Sequence, residues 1–238
     1  MQADEMSHQA MGYDRTSIMF SPDGRLLQVE YAKKTVKQGS TVIGVSCKDG
    51  VIMLTDKRVA EKLIVSESVE KIFQVDDHLG AAASGILSDG RILVEKAQVI
   101  AQNHRVTYNE PMMVQMLVKE ICDLKQLYTQ VGGARPFGVA IMFMGVGDKP
   151  HLFVTDPTGI YFEYKATAIG EADTVVKEFL QKNYKDNMSV DDGFKLALEA
   201  MKKGLDKNFD INRIDAAHIR LSDKQFHGYT REELNKFK

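Results

Sequence analysis

Hydrophobic positions change period along the chain, and each change marks an element. Between residues 24 and 37, Leu26, Val29 and Val36 fall on one helical face and Leu27 and Tyr31 on another. Phe20-Ser21-Pro22-Asp23-Gly24-Arg25 reads as the turn into this helix, with Ser21 as N-cap and Pro22 at the first helical position. Lys33, Lys34 and Lys37 sit where the helix dipole favours cations, and Gly39 suits a left-handed C-terminal residue. Period-two runs follow at 41–47 and 51–57, joined by Lys48-Asp49-Gly50, whose Asp-Gly pair suits a tight hairpin. Further strands are predicted at 62–65, 71–75 and 79–84. Helical spacing returns over 88–105 and 111–129, the second with Asn109 as cap and Pro111 just inside. Met112, Met113 and Met116, at helical spacing, read as core.

A similar order of elements follows. Strands are predicted at 139–146, 152–155 and 160–164, the last two separated by Asp156-Pro157-Thr158-Gly159. Helices come next at 172–184 and 190–203, the latter with Ser189 and Asp192 spaced as a capping box, then strands at 216–221 and 225–229 and a short helix from Arg231. Strands, two helices, strands, two helices, strands is not the alternation of a doubly wound parallel sheet. It is an α+β order that suits two antiparallel sheets between helical layers, and without internal repeat or linker it reads as one domain over 1–238. Residues 1–12, with three methionines and few large apolar side chains, are expected to form a mobile tail.

Composition excludes several functions. A net charge of −2 gives no basic field for a nucleic acid partner. No apolar run reaches the eighteen or so residues of a membrane span, and no signal peptide opens the chain, so a soluble, cytoplasmic protein is expected. Cys47 and Cys122 lie in apolar runs and read as buried free thiols. His8, His78, His104, His151, His218 and His227 show no metal-ligand spacing, so no metal and no cofactor is expected. Gly132-Gly133 follows a helix and lacks the Lys-Ser or Lys-Thr of a phosphate-binding loop.

Gly39-Ser40-Thr41-Val42-Ile43-Gly44, then Thr55-Asp56-Lys57-Arg58 and Lys71-Ile72-Phe73-Gln74-Val75, form an arrangement that is similar to the proteasome superfamily. Active β subunits of that superfamily carry an N-terminal threonine at the place of Ser40, with an acid and a lysine at the places of Asp56 and Lys71. In such enzymes the nucleophile's own α-amino group is the base. Here 39 residues precede Ser40, whose nitrogen is an amide and cannot accept the proton. Two readings follow: an autoprocessed, β-like serine hydrolase beginning at Ser40, or an α subunit that keeps its N-terminal segment. Tyr13-Asp14-Arg15, Phe20-Ser21-Pro22-Asp23-Gly24-Arg25-Leu26 and Gln28-Val29-Glu30-Tyr31-Ala32 closely resemble the signature with which proteasome α subunits begin. Arg135-Pro136-Phe137-Gly138-Val139 and Tyr164-Lys165-Ala166-Thr167-Ala168-Ile169-Gly170 look like the same family, nearest in character to archaeal α subunits.

That resemblance implies the four-layer αββα sandwich of the N-terminal nucleophile hydrolases over 40–238, with an extra N-terminal helix at 24–37. It also implies a non-catalytic subunit in a seven-membered ring of its own kind, stacked on β subunits that hold the catalytic threonine. Unfolded protein chains would pass through the ring. Residues 1–12 would be the gating tail, with Tyr13, Asp14 and Arg15 clustering between subunits and Pro22, beside Tyr31, as the turn that activators displace. Lys71, with Gly39, Gly85 and Ile86, would line a pocket for the C-terminal carboxylate of an activator ATPase ending in a hydrophobic residue, tyrosine and any residue. Val131, Gly132 and Gly133 would form the channel constriction, with Val131 where the family pattern leads one to expect tyrosine.

Overall fold

The computed structural model describes residues 11–58, 63–65 and 69–237. Its strands form two five-stranded antiparallel sheets. The first has the order β10 (Phe226–Gly228), β9 (Ile214–Arg220), β2 (Gly50–Asp56), β1 (Val42–Cys47), β8 (Ala166–Ile169). The second has the order β3 (Ile72–Asp76), β4 (Leu79–Gly85), β5 (Val139–Val146), β6 (Pro150–Thr155), β7 (Tyr161–Glu163). Lys48 and Asp49 form the tip of the β1–β2 hairpin, where Cys47 faces Gly50.

Both faces of each sheet are covered, and β5 shows how the sequence arranges this. Val139, Ile141 and Phe143 enter one apolar cluster with helices α2 (Leu87–Tyr108) and α3 (Val114–Tyr128). Ala140, Met142 and Met144 alternate with them and meet Val42, Val51 and Met53 of the first sheet. On the far side, Ile43, Val45, Ile52 and Leu54 pack against α4 (Asp173–Asn183) and α5 (Val190–Leu205). The order is helix, sheet, sheet, helix. Burial decides where the helices lie: α2 and α3 begin without any side-chain cap, a feature worth about 1 kcal/mol. Fully buried Leu117 and Ile121 of α3 each contribute about 2 kcal/mol.

Helix α1 (Leu27–Gln38) lies across one end of the sandwich, burying Leu27, Val29 and Ala32, with Val36 against the inter-sheet cluster. It starts three residues later than the pattern predicts. Gly24 has φ +74, its N–H bonds Ser21 O at 2.8 Å, and the Ser21 hydroxyl accepts from Arg25 N at 3.2 Å. Ser21 therefore closes a turn and does not cap the helix. Gly39 is extended, not left-handed. Asn109, expected as the cap of the next helix, instead ends α2 in the left-handed region, and α3 begins only at Val114. That shift leaves Met112 buried but Met113 and Met116 exposed, so the three methionines are not all core. Leu63, Ile64 and Val65 form no strand and Lys62 lies outside the described residues; Leu63 is 96% exposed. Strand β8, which pairs with β1, has no counterpart among the predicted elements. Cys47 and Cys122 are free and buried, and burial pushes both thiols up to about 12.

Candidate functional site

The residues singled out in the sequence gather in two places at the end of the sandwich that carries α1. The first is a cleft of about 220 Å³ between the C-terminal end of α1 and the start of α2, lined by Gln38, Gly39, Ser40, Arg58, Val69, Lys71, Gly85 and Leu87. Its two walls approach too closely for side chains. A Cβ on Gly39 would lie 2.2 Å from Gly85 N, and one on Gly85, where φ is +120, would lie 2.3 Å from Gly138 O. Ile86 is not a lining residue; its side chain lies against Gly138, where an added Cβ would meet it at 2.6 Å.

Lys71, just before the edge strand β3, is only 2% exposed. Its Nζ donates to the backbone oxygen of Asp56 at 3.1 Å. The Asp56 carboxylate is held by Arg213, with Nε to Oδ1 at 3.0 Å and Nη2 to Oδ2 at 2.8 Å. Burial lowers the Lys71 amine to about 8, against the opposing pull of Asp56 and with a further push from Arg58. Ser40 thus shares a cleft with the lysine expected beside it, while the acid of that constellation is engaged by an arginine from the far end of the chain. Arg213 could not be foreseen, because 157 residues separate it from Asp56.

The second place is a larger cleft, about 720 Å³, between the segment Arg15, Thr16, Ser17, Ile18 and Met19 and the loop Gly132, Gly133, Ala134 and Arg135, with Gln28 of α1 at its edge. It joins residues expected in two separate roles, since Arg15 and the glycines line one cavity. Ser17 Oγ donates to Val131 O at 3.5 Å, and Val131 is 44% exposed. Gly133 has φ +84 with open space around it. Behind Arg15, the amide of Gln28 donates to Asp14 O, and the Tyr31 hydroxyl donates to Asp14 Oδ2 at 3.4 Å. Lys34 Nζ stands 5.5 Å from the centre of the Tyr31 ring. Tyr13 is half-buried and Pro22 exposed, the latter in the turn closed by Ser21 and Gly24. Residues 1–10 of the expected tail lie outside the described residues; Met11 and Gly12 form part of a turn.

No local pattern pointed to what fixes the 131–138 loop. Arg135 grips Asp89 through two bonds of 2.6 and 2.7 Å, and Asp89 Oδ2 also accepts from Gly138 N at 2.9 Å. Burial would raise the Asp89 carboxyl, but Arg135 and the Gly138 N–H outweigh it and hold the group below the usual carboxylate range. Lys125, wholly buried, donates to Val139 O and Thr155 Oγ1, both at 3.0 Å, and burial lowers it to about 8. Among the described residues no group of three or more acidic, histidine or cysteine side chains could hold a metal ion, and no helix is long and apolar enough to cross a membrane.

Two covered antiparallel sheets with a helix across one end form an αββα sandwich, the arrangement expected from the resemblance to the proteasome superfamily. Comparison with known proteins agrees over most of the length. The family model "Proteasome subunit" matches residues 36–219, and the family model for the N-terminal signature of A-type proteasome subunits matches residues 13–34. The chain is 50% identical over 226 residues to the proteasome alpha subunit of Pyrococcus abyssi, covering 95% of this chain and 86% of that one. It is 47% identical over 227 residues to the protein of that name from Archaeoglobus fulgidus, covering 95% and 92%, and 47% identical over 228 residues, with the same shares covered, to that from Methanosarcina thermophila. The chain belongs to the proteasome subunit family, and its N-terminal signature makes it an α-type subunit of the core particle, a structural part of a protein-degrading complex with other proteasome subunits.

Proposed function

We propose that the chain has no peptidase activity of its own and forms the outer, seven-membered ring of a barrel protease, where it gates the entrance and docks an activator. One arrangement carries the docking part: a lysine amine at the end of a narrow cleft whose nearest acid is engaged elsewhere. Because the Asp56 carboxylate is bound through both oxygens to Arg213 and Lys71 reaches only the Asp56 backbone oxygen, the Lys71 ammonium is left to pair with a carboxylate that arrives from outside. Gly39 and Gly85 bring backbone without side chains to the lining of the cleft, which suits main-chain contact with an extended peptide end. An activator ATPase whose C-terminus ends in a hydrophobic residue, tyrosine and any residue supplies that carboxylate. Ile86 acts from behind the wall, through Gly138.

Absence of catalysis follows from chemistry at Ser40. With residues 1–39 in place its nitrogen is an amide, so no amine is present to take the hydroxyl proton; the catalytic threonines are those of β subunits. Residues 1–12 serve as the gate, Tyr13, Asp14, Arg15, Pro22 and Tyr31 set its arrangement, and Val131, Gly132 and Gly133 line the constriction through which unfolded chains thread. Residues 1–238 act as one domain in the cytoplasm, with 40–238 as its sandwich. Deleting residues 1–12 from a barrel assembled with β subunits tests the gate. Faster hydrolysis of a small peptide is expected, and unchanged hydrolysis would refute the assignment. Deleting residues 1–37 removes α1 and is expected to abolish the ring.

A further inference from the structure

The two clefts share a single residue, Gly138. Gly138 O accepts from Ile86 N at 2.9 Å and lies 2.7 Å from Thr35 Oγ1, whose one proton is shared between it and Ala32 O at 2.8 Å. Thr35 belongs to α1, whose end forms the Gln38–Gly39 wall of the Lys71 cleft, and Ile86 connects Gly85 and Leu87 of the opposite wall. Gly138 N donates to Asp89, in the first turn of α2, and Asp89 holds Arg135, a wall of the 720 Å³ cleft, through two charged bonds. Arg135 also donates to Pro136 O at 3.0 Å, which closes the loop on itself. Hydrogen bonds therefore connect both walls of the small cleft to Gly138, and Gly138 to Asp89 and Arg135.

We propose that Asp89 and Arg135 are positioning residues that transmit occupation of the Lys71 cleft to the 131–135 loop. This rests on the reading of that cleft as a site for a peptide carboxylate. Neither residue lines it, so their effect is on the loop's response and not on the contacts with a bound peptide. A bidentate guanidinium–carboxylate pair is suited to the task because it fixes direction as well as distance. A single hydrogen bond at the same place would let the loop pivot. Coupling of this kind is established by showing that one site biases the other through the named contacts.

The test uses the assembled particle with a spin label on Val131→Cys, since Cys47 and Cys122 are buried. A synthetic peptide ending in a hydrophobic residue, tyrosine and any residue is titrated, and its affinity and the label's spectrum are read together. In the otherwise unaltered particle the peptide is expected to bind and to change the label's mobility. In Asp89→Asn, and separately in Arg135→Lys, which keeps the charge but cannot grip through two nitrogens, affinity is expected to stay within about threefold while the label's response is lost. Response undiminished in both variants overturns the coupling, as does a label that ignores bound peptide in the unaltered particle. A peptide that fails to bind that particle at all identifies the reading of the cleft as the part that failed. Arg135→Lys keeps the test open should Asp89→Asn not assemble, because Asp89 then retains its bond from Gly138 N.

Discussion

Burial of Lys71 makes activator docking dependent on pH in a range where few other groups change charge. The amine titrates near 8 in the free cleft, so about tenfold less of it is charged at pH 9 than at pH 7. A carboxylate seated on the ammonium stabilises the charged form, so the bound state titrates higher than the free one. A peptide ending in hydrophobic–Tyr–X should therefore bind the assembled ring about tenfold more weakly at pH 9 than at pH 7, the loss setting in as pH rises through 8. Its own carboxylate stays ionised throughout. Fluorescence anisotropy of a labelled peptide at constant ionic strength measures this directly. Lys71→Arg supplies the control, because a guanidinium holds its proton over the whole range, so whatever affinity that variant keeps should not vary between the two pH values. Lys71→Met should abolish binding without destabilising the fold, since it removes a buried amine with one hydrogen bond in the described structure. Affinity of the unaltered ring that is flat from pH 7 to 9, or that falls equally in Lys71→Arg, would refute the reasoning.

Other expectations concern the frame around the site. Lys125 is neutral above about pH 8 when folded but protonated up to roughly pH 10.4 when unfolded. The unfolded state thus binds more protons in that window and stability rises with pH across it, by about 3 kcal/mol from this residue. Lys125→Met forfeits two hydrogen bonds worth about 1 kcal/mol each but escapes that burial cost. Thermal unfolding of the ring at fixed concentration should accordingly show little change at pH 7 and a smaller rise toward pH 10. Gly85→Ala combines a positive φ with a backbone oxygen 2.3 Å from the new methyl carbon, a cost on the order of 4 kcal/mol. Gly133→Ala has open space and only the backbone strain, about 1 kcal/mol, so the two melting temperatures should differ clearly. Ser40→Ala should leave peptide hydrolysis by the assembled particle unchanged; a fall to background would favour the hydrolase reading.

How much of this was legible depended on how local the cause was. Strand-rich runs at 41–47, 51–57 and 139–146 and the Asp49-Gly50 turn disclosed the central hairpin, and the order of elements disclosed two sheets between helical layers. Ser21-Pro22-Asp23-Gly24 did not disclose where α1 begins, because the residues that cap helices also close turns, and only the left-handed Gly24 decides between them. Asn109 misled for a related reason: it suits a left-handed C-terminal residue as well as an N-cap. Strand β8 is four residues with two alanines, too short and too weak in strand preference to stand out. The site was legible as residue types, through resemblance, but not as electrostatics. A lysine 2% exposed, an aspartate bound across 157 residues and a second aspartate joined to Arg135 across 46 are products of tertiary contact, which no local pattern reports.

The central claim is that this chain works uncut, as a ring-forming α subunit. Native mass spectrometry of the purified protein reports its covalent start and its assembly number together. Full-length chains in sevens, or in double rings of fourteen, are the predicted result, whereas a chain trimmed to begin at Ser40 would contradict the account and restore a catalytic role.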